Sequence, residues 1–501
     1  MLAMHQNRRA FLKAASSAAA LAAASTNSAV SLASRLGADQ SSAPHFRERG
    51  YYITFMRSPL FTFETWKDIL DGLKQDGGNL VILWMGGAFP SKKFPITWKY
   101  NTEHQNVQHN FAGRLIDHAH SQGIKVLLGL TPFGYDGVNQ YPMEHPELKA
   151  ITQSGNYTKL DGLGAWGFNL NPYRPEAQKF MLDYTVEMFD FYPNADGLLI
   201  ESSDYAISYC TNCPESYYQK EFEYVRQISG HLWAHKPEMM IAIYPHYFTG
   251  AEVPGMKIKA AREKFDPRWT LFFTPHSAPF DQALMKQARS TISWDSSPSL
   301  GKLSGIGAGA RRAKAAGATG FIPSFEPINY RFTGPDTGAA WLVGQRAYPF
   351  GFAWLKPGET PMHQLLLRLL RLAYREFSSA PELSMEQFRT TVSRELFAGC
   401  AEPDLLDDLF FVEDCFFLDR TWDSTCVLAS PEYVKGRIEL GQLGPVRLAE
   451  YRDRRKRISQ IARRYRSASV SCAHELMQTA LWMEQHWNDS PYRTILDDHL
   501  G

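Results

Sequence analysis

At 501 residues the chain is longer than one ordinary hydrophobic core organises, and two folded units is the natural expectation. Hydrophobic content of 44% with 21% charged residues is the composition of a folded globular protein, which excludes a disordered or fibrous chain. A formal net charge of +1 argues against a bulk polyanion partner and against adaptation to a membrane surface.

The first recognisable segment is Asn7-Arg8-Arg9-Ala10-Phe11-Leu12-Lys13, followed by a weakly apolar Ala/Ser-rich run from Ala14 to Ala24. A paired Arg ahead of Phe-Leu-Lys resembles a twin-arginine export signal, with small residues suited to cleavage after Ala24 or Ala33. Residues 1–40 are therefore read as signal and linker. The twin-arginine export machinery is the expected partner, and the mature protein is expected in the periplasm or outside the cell. No later segment offers about 18 uninterrupted apolar residues, so no membrane span is expected in the mature protein.

From residue 51 strand-like and helix-like segments alternate. Tyr51–Met56 reads as a strand, then a helix from Glu64 to Gln75 that stops at Gly77-Gly78. Asn79–Trp84 is the second strand, Phe111–Ser121 its helix, and Ile124–Leu130 the third strand. A long connection rich in Gly, Asn, Tyr and Trp then reaches Pro172, and loops of that length in compact domains are usually functional. The helix Pro175–Phe191 leads into the apolar run Leu198–Ile200, the pattern of a strand buried on both faces, which ends at Glu201. Tyr217–Trp233 is helical and Met239–Tyr244 is the fifth strand. Trp269–Thr274, Thr291–Trp294 and Gly320–Ser324 are the sixth to eighth, with helices at Gln282–Arg289 and Gly305–Ala316 between them. Eight alternations in about 280 residues predict an α/β (β/α)8 TIM barrel over residues 41–335. The competing open doubly wound sheet lacks its Gly-rich phosphate turn after the first strand.

Residues 336–501 read as an all-helical C-terminal domain, with helices at Leu365–Phe377, Ser384–Leu396, Glu402–Phe417, Pro445–Tyr465 and Ala473–His486. Its basic run from Arg452 to Arg466 is balanced by Asp404, Asp407, Asp408, Glu413 and Asp414 in the same domain, so no nucleic-acid partner is expected. There are six cysteines. Cys210-x-x-Cys213 has the spacing of a zinc half-site but no second such pair follows, leaving a structural pair, a metal site or a redox pair open. His231 and His235 lie four apart on a helix but lack the Glu of a zinc-protease motif, and are read as surface residues.

In a barrel of this kind chemistry sits at the C-terminal strand ends. One or two residues past each strand stand Arg57, Trp84, Thr131, Glu201, His246, His276, Asp295 and Glu326. A ring of carboxylates, histidines and Arg above apolar strands is what a polar substrate pocket requires. Tyr244-Pro245-His246 and Thr274-Pro275-His276 echo one another, and Trp294 sets a stacking surface beside Asp295. Three separated carboxylates with aromatics fit glycosidic bond cleavage, which needs one protonated acid and one ionised carboxylate. Glu201, leaving the most apolar strand, is the expected general acid, and Asp295 the base or nucleophile. Glu326 completes the carboxylate set and grips sugar hydroxyls. Arg57, Trp84, Asp204, Tyr244, His246, His276 and Trp294 are the expected carbohydrate-binding residues. No cofactor or metal is required by this reading.

The glutamate ending Asp196-Gly-Leu-Leu-Ile-Glu201, the following Cys210-x-x-Cys213 and the helical C-terminal region together resemble exported barrel glycoside hydrolases, especially family-20 β-N-acetylhexosaminidases and α-glucuronidases. Ile200 stands where those hexosaminidases carry an Asp that orients the substrate's acetamido group, so the resemblance does not extend to substrate-assisted catalysis. Two other readings use the same residues. Glu201, His246 or His276, Asp295 and Glu326 would also suit a divalent metal in a sugar isomerase or epimerase, and a non-catalytic glycan-binding barrel would need the same aromatics.

Overall fold

The computed structural model describes residues 44–53, 55–57, 62–101, 105–134, 137–152, 154–157, 167–202, 208, 210, 213, 217–244, 263–274, 282–294, 303–325, 361–398, 400–416, 434–435, 438–439, 441, 443–467, 471–490 and 493–500. Its strands are β1 (Glu48–Ile53), β2 (Leu80–Trp84), β3 (Lys125–Leu130), β4 (Gly197–Glu201), β5 (Met240–Tyr244), β6 (Thr270–Phe273), β7 (Ser290–Ser293), β8 (Gly320–Phe321) and β9 (Ser324–Phe325). Each strand from β2 to β7 pairs in parallel with the next, and β1 pairs with β2 on one side and with β8 and β9 on the other. The sheet is therefore closed, as the alternation predicts, and the open doubly wound alternative does not hold. Helices on the outside explain why β2 is buried at all five positions and β3 and β5 at all but their first.

Local chemistry accounts for the element ends. Helix α1 (Phe63–Gln75) starts where the Thr62 side chain accepts the Thr65 amide. Helix α2 (Phe111–Ser121) is capped by the Asn110 side chain, which accepts the Gly113 amide at 3.3 Å. It stops at Gly123, whose φ of +71° turns the chain so that the Ile124 amide reaches the Ala119 carbonyl at 2.9 Å. Helix α3 (Pro175–Phe191) opens on a proline, which loses nothing by lacking an amide proton there. Trp66, Leu70 and Leu73 of α1 and Leu115 and Ile116 of α2 are all buried, each such side chain contributing about 1.5–3 kcal/mol.

The first strand lies three residues earlier than its sequence suggests. Its polar start is held because the Asn79 side chain accepts the Arg49 amide and donates to the Arg47 carbonyl. Phe55 and Met56, which look β-like, are buried instead in a 3-10 turn (Phe55–Arg57), with the Phe55 ring 5.1 Å from Trp66. The last strand is split at Ile322-Pro323, where proline has no amide proton for the ladder; the Pro323 carbonyl still accepts the Tyr52 amide at 3.1 Å.

Helices α4 (Tyr217–His235), α5 (Gln282–Gln287) and α6 (Leu303–Ala315) follow β4, β6 and β7. Helix α7 (Pro361–Ser379) packs along α6 and onto the outside of β1 and β8. There Tyr374 lies 4.9 Å from Tyr51, its hydroxyl donates to the Phe321 carbonyl, and Arg371 pairs with Asp76 at 2.8 Å. Burial raises the Asp76 carboxyl above its ordinary range, and the hydrogen bond and charge of Arg371 offset this only in part. Among the described residues five further helices follow: α8 (Met385–Leu396), α9 (Leu405–Phe416), α10 (Pro445–Ser467), α11 (His474–Asn488) and α12 (Arg493–Leu500). The last of these has no counterpart in the sequence reading. Helix α8 begins with a reciprocal cap between Ser384 and Gln387. The basic run on α10 meets the acidic α9 as its composition suggests, through Arg454 with Asp414 and Arg464 with Asp404 and Asp408. A disulfide joins Cys400 to Cys472. Cys415 is buried outside it, with Arg454 Nη1 donating to its sulfur. Among the described residues no helix is long and apolar enough to cross a membrane.

Candidate active site

Residues from β1, β4, β5 and β6 and the residue after β7 meet at the end of the barrel that carries Glu201. Glu201 is the last residue of β4, in register with Tyr244 at the end of β5, and is partly exposed above the buried run Leu198–Ile200. Tyr52 reaches it from β1. Its hydroxyl donates to Glu201 Oε2 at 2.6 Å, while the neighbouring Tyr51, on the opposite face of the strand, packs outward on Tyr374.

The Tyr52 ring lies 4.8 Å from Trp294 and 6.4 Å from Phe272. Phe272 and Trp294 stack at 5.6 Å, and Tyr244 meets Trp294 edge-on at 5.1 Å. These four buried rings form an aromatic layer beside the carboxylate, contributed by β1, β5, β6 and the residue after β7. An apolar surround of this kind strengthens any hydrogen bond made within it. Tyr244 Oη and Thr274 Oγ1 lie 3.3 Å apart, and Trp84 Nε1 donates to Thr131 Oγ1 at 3.4 Å, so Trp84 and Thr131 pair with each other at the ends of β2 and β3.

The backbone after Glu201 is fixed as well. The Ser202 amide donates to the Tyr244 carbonyl, and the Ser202 hydroxyl donates to the carboxylate of Glu221, a buried acid on α4. The connection after β3 is built around Phe133, whose φ of +60° places a non-glycine residue in the left-handed region at a cost on the order of 1 kcal/mol. Its carbonyl accepts the Leu170 amide and its ring abuts Tyr224, which hold that conformation. Further along, Gly137 at φ +91° lies so close to Gly87 that a Cβ would come within 2.8 Å of it, locking the loops after β2 and β3 together. The Ile151 amide donates to Ser208, tying the same loop to the one after β4. There Cys210 and Cys213 form a disulfide, so the two sulfurs bind each other.

Of the residues expected from sequence, Glu201, Tyr244 and Trp294 are brought together. Trp84 and Thr131 lie at strand ends as expected. Arg57 ends the 3-10 turn instead of following the strand directly, and its side chain lies outside the described residues, as do Asp204, His246, His276, Asp295 and Glu326. Cys426 does too. His231 and His235 are exposed, with His235 Nδ1 bonded to the His231 carbonyl. Among the described residues no group of three or more His, Cys, Asp or Glu side chains could hold a metal ion. Sequence reasoning missed Tyr52, Phe272 and Glu221. Period-two alternation in β1 was the available signal for Tyr52, once the strand's true start is known.

No family model and no curated protein matches the sequence. Among solved structures the chain is similar to a GH138 enzyme targeting pectin rhamnogalacturonan II, with 12% identity and a TM-score of 0.52 over 92% of this chain and 59% of that one. It thus spans about 59% of that enzyme's length. A Flavobacterium johnsoniae chitobiase is matched at 11% identity and a TM-score of 0.46, over 91% of this chain and 73% of that one. A Thermobaculum terrenum O-GlcNAc hydrolase is matched at 12% identity and 0.48, over 90% and 82%. The likeness to the first of these is one of fold: the chain shares the TIM barrel of a glycoside hydrolase.

Proposed function

We propose that the protein is a glycoside hydrolase in which Glu201 is the general acid and Asp295 the second carboxylate, acting on an oligo- or polysaccharide. The observation that carries this is the Glu201 carboxyl itself, partly exposed at the end of β4 and gripped by Tyr52 beside an aromatic layer. A carboxyl at an apolar strand end is costly to hold unless it is bonded or faces a cleft. Asp295 follows Trp294 directly in sequence, and the Trp294 ring is within 4.8 Å of Tyr52, which supports bringing a second acid to the same end of the barrel. Glu326 follows Phe325 of β9, the partner of Ile53, and supports a third. The fold shared with the GH138 enzyme supports the same class of chemistry.

In this reading the proton passes from Glu201 to the bridging oxygen. The electron pair of the breaking C–O bond stays with that oxygen, and the leaving sugar departs as an alcohol. Water supplies the hydroxyl to the sugar carbon; its proton goes to Asp295 if that residue is the base, or to Glu201 if Asp295 has attacked as the nucleophile, and exchange with solvent resets both carboxyls. Glu201→Gln keeps the shape and removes the transferable proton. Turnover of an unactivated glycoside is expected to fall by about 10²–10⁴-fold, while bond cleavage in an aryl glycoside with a good leaving group suffers much less. Asp295→Asn is expected to slow cleavage of both. Equal losses on both substrates for Glu201→Gln would reject it as the acid, and full activity would move the site elsewhere.

A further inference from the structure

We propose that Tyr52 is a positioning residue for proton transfer by Glu201, an inference that rests on the glycosidase reading and adds a residue to it. The Tyr52 hydroxyl donates to Glu201 Oε2 at 2.6 Å, the separation of an O–H donor facing a carboxylate. Its place is over-determined. The backbone at Tyr52 is paired with Ile82 on one side and Ser324 on the other, and its amide is held by the Pro323 carbonyl. The ring is buried against Trp294, with Phe272 beside both. The phenol is thus aimed before any substrate arrives and needs no reorganisation when the reaction begins.

What it does follows from where charge develops. A protonated Glu201 is neutral; as its proton moves to the bridging oxygen, negative charge grows on the carboxyl group. A hydrogen bond from Tyr52 to Oε2 therefore strengthens along the reaction and is tighter in the transition state than in the ground state, which is the condition for accelerating the step. The same bond fixes rotation of the carboxyl about its Cγ–Cδ axis, so that the proton is presented in one direction. Two neighbours of Glu201 also make bonds of their own. Tyr244 has its hydroxyl within reach of Thr274, and Ser202 donates to Glu221.

Because the effect acts only through proton donation, it depends on the leaving group. Tyr52→Phe removes one oxygen and keeps the aromatic packing, which a near-UV circular dichroism spectrum and a melting curve would check. The test measures kcat and KM for an alkyl glycoside and a 2,4-dinitrophenyl glycoside of the same sugar, that sugar being chosen from a panel of 4-nitrophenyl glycosides. The kcat for the alkyl glycoside is expected to fall by about 10- to 100-fold, the effect of one hydrogen bond to a charged group. The dinitrophenyl bond-cleavage rate should stay within about threefold, since its leaving group needs little protonation. Equal losses on both substrates would mean that Tyr52 only supports the fold, and no loss would mean that it does nothing; either overturns the proposal. Glu201→Gln is measured alongside. If it shows the leaving-group split and Tyr52→Phe does not, only the positioning role fails. If Glu201→Gln shows no split, Glu201 is not the acid and the role of Tyr52 goes with it.

Discussion

The two disulfides offer a quantitative comparison within one molecule. Cys400–Cys472 spans 72 residues and Cys210–Cys213 only three. A cross-link stabilises mainly by removing conformations from the unfolded chain, and the number removed grows with the loop it closes. The chain-entropy relation gives about 4 kcal/mol for the long loop and about 2 kcal/mol for the short one at 25 °C. The long loop carries helices α9 and α10, whose ion pairs already hold them together, so the folded geometry should survive loss of the bond. Replacing both cysteines of each pair with Ser changes packing little, because all four are half-buried. Urea unfolding followed by circular dichroism, with and without reductant, is the assay. The Cys400/Cys472 double variant is expected to lose about twice as much stability as the Cys210/Cys213 variant. Reductant should destabilise the wild type but spare a variant lacking both pairs. Turnover per folded molecule should be retained in each. A smaller loss for the long loop than for the short one would refute the reasoning, and an inactive but folded Cys210/Cys213 variant would assign that pair to the chemistry.

Arg371→Met leaves Asp76 buried without its cation and is expected to cost about 3–5 kcal/mol at neutral pH, with much of this recovered in the Arg371→Met/Asp76→Leu double variant. Since burial already raises the Asp76 carboxyl above its unfolded value, the folded state takes up the proton first on acidification; the penalty in Arg371→Met should therefore shrink as pH falls towards the ordinary Asp range, and a penalty unchanged from neutral pH down through that range would contradict this. For export we propose the twin-arginine route: replacing Arg8 and Arg9 with Lys should trap folded precursor inside the cell, and unchanged export of that variant would remove the reading.

The helices were legible where end signals were local. Asn110 and Gly123 delimit Phe111–Ser121, and Pro175 opens the helix to Phe191, because caps and breakers act within a few residues. The strand limits were less so. Phe55 and Met56 look like a continuation of β1 in sequence, and the packing of Phe55 on Trp66 and the Asn106 bond to its carbonyl hold them in a 3-10 element instead. Glu201 could be singled out because a carboxylate after Leu-Leu-Ile conflicts with its surroundings. Tyr52 could not, since a tyrosine in a strand conflicts with nothing, and its partner lies 149 residues away. Pairing Cys400 with Cys472 has the same difficulty, as nothing near either residue points to the other.

Closing the cylinder requires Glu48 to wait for Gly320 and Tyr52 to wait for Ser324. Those last two strands are short and interrupted by a proline, so the joint they make with β1 has few ladder bonds of its own. Helix α7 lies across that joint, with Tyr374 bridging Tyr51 and the Phe321 carbonyl, Ser379 near Arg49, and Arg371 on Asp76. On a ribosome making the chain from its N-terminus, every strand would be complete before this clasp emerged. The barrel is thus a structure whose first residues are secured by some of its later ones, and a chain still being synthesised cannot have it fully shut.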